Sequence, residues 1–298
     1  MPSLLEMLGC RYPIIQGPIG NMNSPDMVAA ICNAGAFGML ALGFIRELDD
    51  ARRLIGAVKE RTNQPFGANV VLMNPQCGEI LKILAQSGVK TVTTSVGQPG
   101  DIYPLIHDLG LKGLHVVLSL AHAVRAEKSG VDGLVVVGAE AGGLRSRKPE
   151  SSTMVLVPLV SDAVSIPIAA AGGIADSRGY RAALALGAQG VQIGTRFMVS
   201  RESGLHDKWK DAVIRCTDGG TTLLPVHKVL MTRAVITPAL EKLIAEHPHD
   251  LEEALQYGDR IQAWDRGDYE NAIAGAGQVG ALIKDIPSVK HIIEEMTS

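Results

Sequence analysis

Short, continuous apolar runs punctuate the first two thirds of the chain: YPIIQG, AFGML, FGANVV, VKTVTT, LHVVLS, GLVVVG, IPIAAAGG and GVQIGT. Runs without strict alternation suit parallel strands covered on both faces, and the segments between them have room for crossover helices. Eight such units predict an α/β fold of the (β/α)8 TIM-barrel type, whose usual length is roughly 250 residues. A doubly wound open sheet would fit the same alternation. It is disfavoured because no G-x-G-x-x-G turn opens a helix after the first run.

After GVQIGTRFMVSRES the texture changes. Residues 204–270 are more polar, hold both tryptophans and carry the helical patterns PALEKLIAEH and DLEEALQYG, which predict a small helical second domain. The closing AGAGQVGALIKDIPSVKHIIEEM reads as an apolar helix-like segment, a Pro-marked turn and an amphipathic helix returning to the barrel wall. The expected organisation is a barrel over 1–203 and 271–298 with a substrate-side helical lobe over 204–270.

Composition narrows the function classes. A net charge of -3 and an aromatic content of 4% offer neither a basic footprint nor stacking platforms for nucleic acid. No apolar run approaches the roughly 20 residues of a membrane span, and the start lacks the pattern of a cleavable leader. The expectation is a cytoplasmic protein with a small-molecule substrate, no metal and no membrane, homodimer formation being open. Cys10, Cys32, Cys77 and Cys216 are scattered without metal-ligand spacing and are expected to be reduced thiols.

In such a barrel the chemistry sits where strands run into the following loops. IAAAGGIADS places Gly172 and Gly173 at the end of the seventh strand, and VQIGTRF places Gly194 and Thr195 at the end of the eighth. Glycine admits backbone N–H groups close to an anion, and a hydroxyl adds a donor. One Gly-Gly alone would be an ordinary tight turn, but two on neighbouring strands read as a phosphate cradle. Gln16 and Asn69, at the ends of the first and third strands, offer amides for a flat heteroaromatic edge or serve as plain polar caps.

Taken together, YPIIQGPIG, PFGANVVL, VKTVTTSVGQP, GAEAGG, IPIAAAGGIADSRGYRAALALGAQGVQIGTRFMVSRES and AGQVGALIKDIPSVKHIIEEM resemble one family over nearly the whole chain. It is that of the FMN-dependent nitronate monooxygenases, formerly 2-nitropropane dioxygenases, with the flavin-dependent enoyl-acyl-carrier-protein reductases II. The resemblance implies an FMN phosphate held by Gly172, Gly173, Gly194 and Thr195. It places the isoalloxazine near Gln16, Gly17, Asn69 and the EAGG loop, Glu140, Gly142 and Gly143 included.

The sequence departs from the family at one position. EAGG is followed in most members by a histidine that handles a proton, and here by Leu144. Candidate replacements are His122, Ser95 and Ser119, with His227 a further one. A histidine restored at 144 is expected to raise turnover of neutral nitroalkanes or enoyl thioesters. Arg145, Arg147 and Lys148 follow; such a run is usually a solvated loop, but at a flavin pocket Arg145 and Lys148 would favour an anionic substrate.

The function expected is oxidation of a nitronate or similar small anionic carbon acid with oxygen, since a nitronate arrives already deprotonated. The alternatives are an NAD(P)H-dependent flavin reductase acting on an enoyl thioester or quinone, a flavin-binding protein without redox turnover, and a flavin-free phosphate-ester barrel.

Overall fold

A computed structural model describes residues 2–19, 24–264 and 266–298; Gly20, which ends the YPIIQGPIG stretch, lies outside the described residues. The apolar runs form β1 (Ile14–Gln16), β2 (Met39–Ala41), β3 (Gly67–Val71), β4 (Thr91–Ser95), β5 (Lys112–Val117) and β6 (Gly133–Val137). After β7 (Gly143–Ser146), which leaves the barrel, come β8 (Ile168–Ala171) and β9 (Gly190–Ile193). Apart from β7 these strands are parallel, in the order β1-β9-β8-β6-β5-β4-β3-β2. The ring closes where the Gln16 N–H donates to Phe37 O and the Phe37 N–H to Ile14 O, both at 2.8 Å. This is the (β/α)8 barrel that the eight runs predict.

Alternation along each strand divides the core. Ile15, Phe37, Leu114, Val135 and Ala169 point inward and pack together, and the Leu4–Leu8 helix fills the interior with Leu4, Met7 and Leu8. Their strand neighbours point outward onto the helices. The Leu48–Lys59 helix answers with Ala51, Leu54, Ile55 and Val58, a three-and-four spacing along one face. Each of the larger side chains, Leu54, Ile55 and Val58, stabilises the fold by roughly 1.5–3 kcal/mol on burial. Higher in the barrel the interior turns polar: Asn69 Nδ2 donates to Thr93 Oγ1 at 2.9 Å, and Ser95 Oγ to Asn69 Oδ1 at 3.3 Å.

The 204–270 region differs from the expectation of a purely helical lobe. Its helices Asp207–Ile214, Pro238–Glu246, Leu251–Leu255 and Tyr257–Gln262 accompany a hairpin of β10 (Thr221–His227) and β11 (Leu230–Val235). Threonine, valine and leucine give these stretches strand preference, and the two-residue turn lacks the glycine that usually announces a hairpin. β11 also pairs antiparallel with β7, so the loop after β6 is stitched to the region beyond the barrel. The expected helix at AGAGQVGALI is corrected as well: residues 274–277 run without helix past β11, and only Gln278–Leu282 makes a 3-10 turn. The closing helix Val289–Thr297 does return to the wall, burying Val289, Ile292, Ile293 and Met296. Among the described residues no helix is long and apolar enough to cross a membrane.

Candidate active site

A cavity opens at the C-terminal ends of β1, β6, β8 and β9, lined by residues 17–19, 140–143, 171–174, 192–195 and 275–277. Two of its corners are glycine geometry. Gly172 and Gly173 both have left-handed backbones, φ 102° and 73°. A Cβ on Gly172 would stand 3.0 Å from Thr153 Oγ1 and 3.1 Å from Gly138 O, so side chains are excluded there. Across the cavity Gly17 lies against Gly194, where a Cβ would sit 3.3 Å from the Gly194 Cα. Gly194 itself precedes the short Thr195–Met198 helix and has room on its cavity side.

The structure thus brings Gly17, Glu140, Gly142, Gly143, the Gly172–Gly173 pair, Gly194 and Thr195 to one cavity. Gln16 and Asn69 are not in its lining. Both are buried at 3% and 5% exposure. Gln16 Oε1 accepts from the Met39 N–H, extending the β1–β2 seam, while the Asn69 amide is spent on Thr93. The Glu140 carboxylate is also engaged: it accepts from the Thr153 N–H and hydroxyl, each at 2.9 Å, and so caps the Thr153–Ser161 helix. Thr195 Oγ1 accepts from the Gly277 N–H at 3.0 Å.

The sequence reading missed two contributors. Residues 275–277 close the cavity from the far end of the chain; the Gln278 N–H donates to Glu140 O at 2.9 Å, and a Cβ on Gly142 would come within 2.8 Å of the Gly277 nitrogen. The spaced glycines of AGAGQVG were the signal. The other is Gln192, a polar residue inside the apolar run GVQIGT. Val191 and Ile193 join the outer core, so alternation turns Gln192 inward, and its Oε1 is buried without a hydrogen-bond partner.

The candidate proton handlers fall elsewhere. Leu114 belongs to the barrel interior, so its neighbour His115 points outward, where its Nε2 meets His122 Nε2 at 3.2 Å and its Nδ1 meets Thr94 Oγ1 at 2.7 Å. His122 is therefore packed between strand and helix, outside the cavity. Burial, and then His122, push the His115 pKa down to about 3; burial, and then Arg125, lower that of His122. Ser119 caps the Leu120–Lys128 helix through the His122 N–H. Ser95 is held by Asn69 inside the barrel, and His227 is exposed at the hairpin turn, where its carbonyl accepts from Arg147.

Leu144 is half-buried on β7, opposite Thr232, one residue beyond the cavity lining. Arg145 corrects the expectation of a solvated lip. It is 1% exposed, its Nε and Nη2 donate to Glu150 at 2.9 and 2.6 Å, and Nη2 also reaches Gly138 O at 2.9 Å. A guanidinium so committed, through Nε and Nη2, ties the loop to Glu150 and Gly138. Lys148 is exposed. Cys32 and Cys77 are buried free thiols, which burial pushes up to about 12 and about 11.

The donor set fits a flavin nucleotide. Backbone at two glycine corners can approach a phosphate, Ile19, Met198 and Val279 supply apolar wall, and the unpaired Gln192 Oε1 awaits a donor such as a ring N–H.

Comparison with known proteins agrees. The family model described as nitronate monooxygenase matches residues 1–86 and 77–298. The chain is 28% identical to a probable nitronate monooxygenase of Staphylococcus aureus strain JH9, over 96% of this chain and 93% of that protein. FabK from Thermotoga maritima superposes with a TM-score of 0.89 at 34% identity, covering 99% of this chain and 94% of that one. A nitroalkane oxidase from Streptomyces ansochromogenes shares the fold, with a TM-score of 0.84, 24% identity, and coverage of 99% and 97%. The barrel, the glycine-cornered cavity and a family match spanning the chain lead to one conclusion: this protein belongs to the nitronate monooxygenase family and is a flavin-dependent oxidoreductase.

Proposed function

We propose that the protein is an FMN-dependent enzyme that oxidises a nitronate, or a similar small anionic carbon acid, with oxygen. One observation carries this reading. Among the described residues lining the cavity the only Asp, Glu, His, Lys, Arg, Cys or Tyr side chain is Glu140, and its carboxylate is tied to Thr153. A neutral carbon acid would need a base within hydrogen-bond reach of its proton. A nitronate needs none.

In this reading Gly172, Gly173, Gly194 and Thr195 hold the phosphate through their backbone, and the Gly194 gap lets it approach. Gln192 Oε1 accepts from the ring edge. Gly17, Glu140, Gly142 and Gly143 form the wall, while Gln16 and Asn69 act at one remove by fixing the seam and the strands beneath it. Bound FMN supplies the electron acceptor. Residues 1–203 and 271–298 form the cofactor-binding unit, and 204–270 shape the substrate side, with exposed Lys148 drawing an anion toward the mouth.

A second reading, an NAD(P)H-dependent reductase of an enoyl thioester or quinone, is favoured by the likeness to FabK. Oxygen consumption separates the two. A small alkyl nitronate should be turned over with a kcat/KM about 100-fold or more above that of its neutral nitroalkane, the scale of a missing base. Equal values would defeat the proposal, and activity confined to NADH or NADPH with an enoyl thioester would replace it with the second reading.

A further inference from the structure

A second cavity lies between the end of the 207–214 helix, the start of the 238–246 helix, Trp264 and the Tyr269–Glu270 segment. Its floor is apolar, with Val235 4%, Ala274 1% and Cys216 3% exposed. One wall is aromatic. Trp264 and Tyr269 stand 5.7 Å apart between ring centroids, and the Trp264 Nε1–H donates to Ile273 O at 2.9 Å, which fixes the indole. His206 stacks on Tyr269 at 4.2 Å, and Lys208 Nζ lies 4.7 Å from the Tyr269 ring centroid. The rim carries exposed Lys208, Arg215, Asp211 and Glu270. None of these four side chains makes an ion pair or a hydrogen bond among the described residues.

We infer that this cavity binds a nucleoside phosphate. The apolar floor and the fixed indole suit the face of a flat base, since stacking accepts any π-surface. Carboxylates on the rim can accept from ribose hydroxyls, as acidic residues do in dinucleotide sites. Arg215 and Lys208 can meet a phosphate. The mixture of signs discriminates against simpler ligands: a bare aromatic anion would face Asp211 and Glu270, and an apolar ligand would leave four charges unused. The site also adjoins the first cavity. Ala274 lies in one lining and 275–277 in the other, with the Val235 N–H bonded to Ala274 O at 2.8 Å.

The same chemistry is offered by a free nucleotide and by the adenylate half of a nicotinamide dinucleotide. Titration of the purified protein with AMP, followed by calorimetry, tests the site independently of any flavin turnover. Saturable binding is expected at about 1 mM or tighter, weakened about fivefold or more by Trp264→Leu and by Arg215→Ala. Both variants should keep the parent's circular dichroism and bound flavin. Displacement of AMP by NADH would identify the dinucleotide as the source, and AMP binding indifferent to NADH a free nucleotide. No saturation by AMP in the millimolar range, or binding that both variants leave unchanged, would overturn the inference.

Discussion

Leu144 faces Thr232 across the antiparallel β7–β11 ladder, and the Thr232 hydroxyl donates to the adjoining Gly143 carbonyl at 3.4 Å. The position where the family resemblance leads one to expect a histidine is here a strand residue, paired and half-buried. The backbone at 144 is therefore fixed by the ladder, one residue past the cavity lining. On that placement a smaller gain is expected than the one inferred from sequence. Leu144→His should change neutral nitroalkane turnover by no more than about threefold, far short of the roughly 100-fold a placed base supplies. Steady-state rates on the variant decide it: a gain of that larger size would mean that the side chain reaches the substrate.

Gly194 separates a cofactor role from a folding role. Its φ of -104° is open to any residue, and among the described residues an added Cβ would meet Ile19 alone, Cδ1 at 3.4 Å and Cγ1 at 3.9 Å. Gly194→Ala should therefore change stability by less than about 1 kcal/mol while weakening FMN about tenfold or more, because the methyl occupies the phosphate's approach. Gly172→Ala, at φ 102° and 3.0 Å from Thr153 Oγ1, should lose both. Urea midpoints of the apo forms with FMN titrations test this pair, and a Gly194→Leu protein purified fully loaded would refute the cradle.

His115 makes stability depend on pH. Its folded pKa is depressed to about 3, by burial first and His122 second, whereas an unfolded histidine titrates near 6.5. Between those values the unfolded chain binds a proton that the native state refuses. The stabilising contribution is thus complete above about pH 6.5 and is lost as pH falls toward 3, at up to about 1.4 kcal/mol per pH unit. His122, lowered in the same direction, adds to it. Urea midpoints measured from pH 7 to 4.5 should fall more steeply for the parent than for His115→Gln; equal slopes would place the acid sensitivity elsewhere.

The barrel was legible because its strands are buried on both faces, so each appears as an uninterrupted apolar run such as GLVVV. Gly172 and Gly173 were legible because their left-handed backbone favours glycine, and Gly194 because it ends an apolar run. Less was visible where the structure depends on partners distant in sequence. The β10–β11 hairpin contains Pro225 and turns without glycine, and β7 becomes a strand only because β11 lies beside it. Arg145 looked like one of three solvated bases; its burial follows from Glu150, five residues on, folding back to meet it. Two local clues were overlooked: the spaced glycines of AGAGQVG, and Gln192, a polar residue at an inward position of an apolar strand.

The central claim is that the cavity holds a flavin and provides no base. Visible absorption of the purified protein, kept free of oxygen, tests it most directly when a small alkyl nitronate and then its neutral nitroalkane are added to separate samples. A yellow protein bleached by the nitronate and left yellow by the nitroalkane is the predicted result. A colourless protein that takes up no FMN, or one bleached equally fast by both, would contradict it.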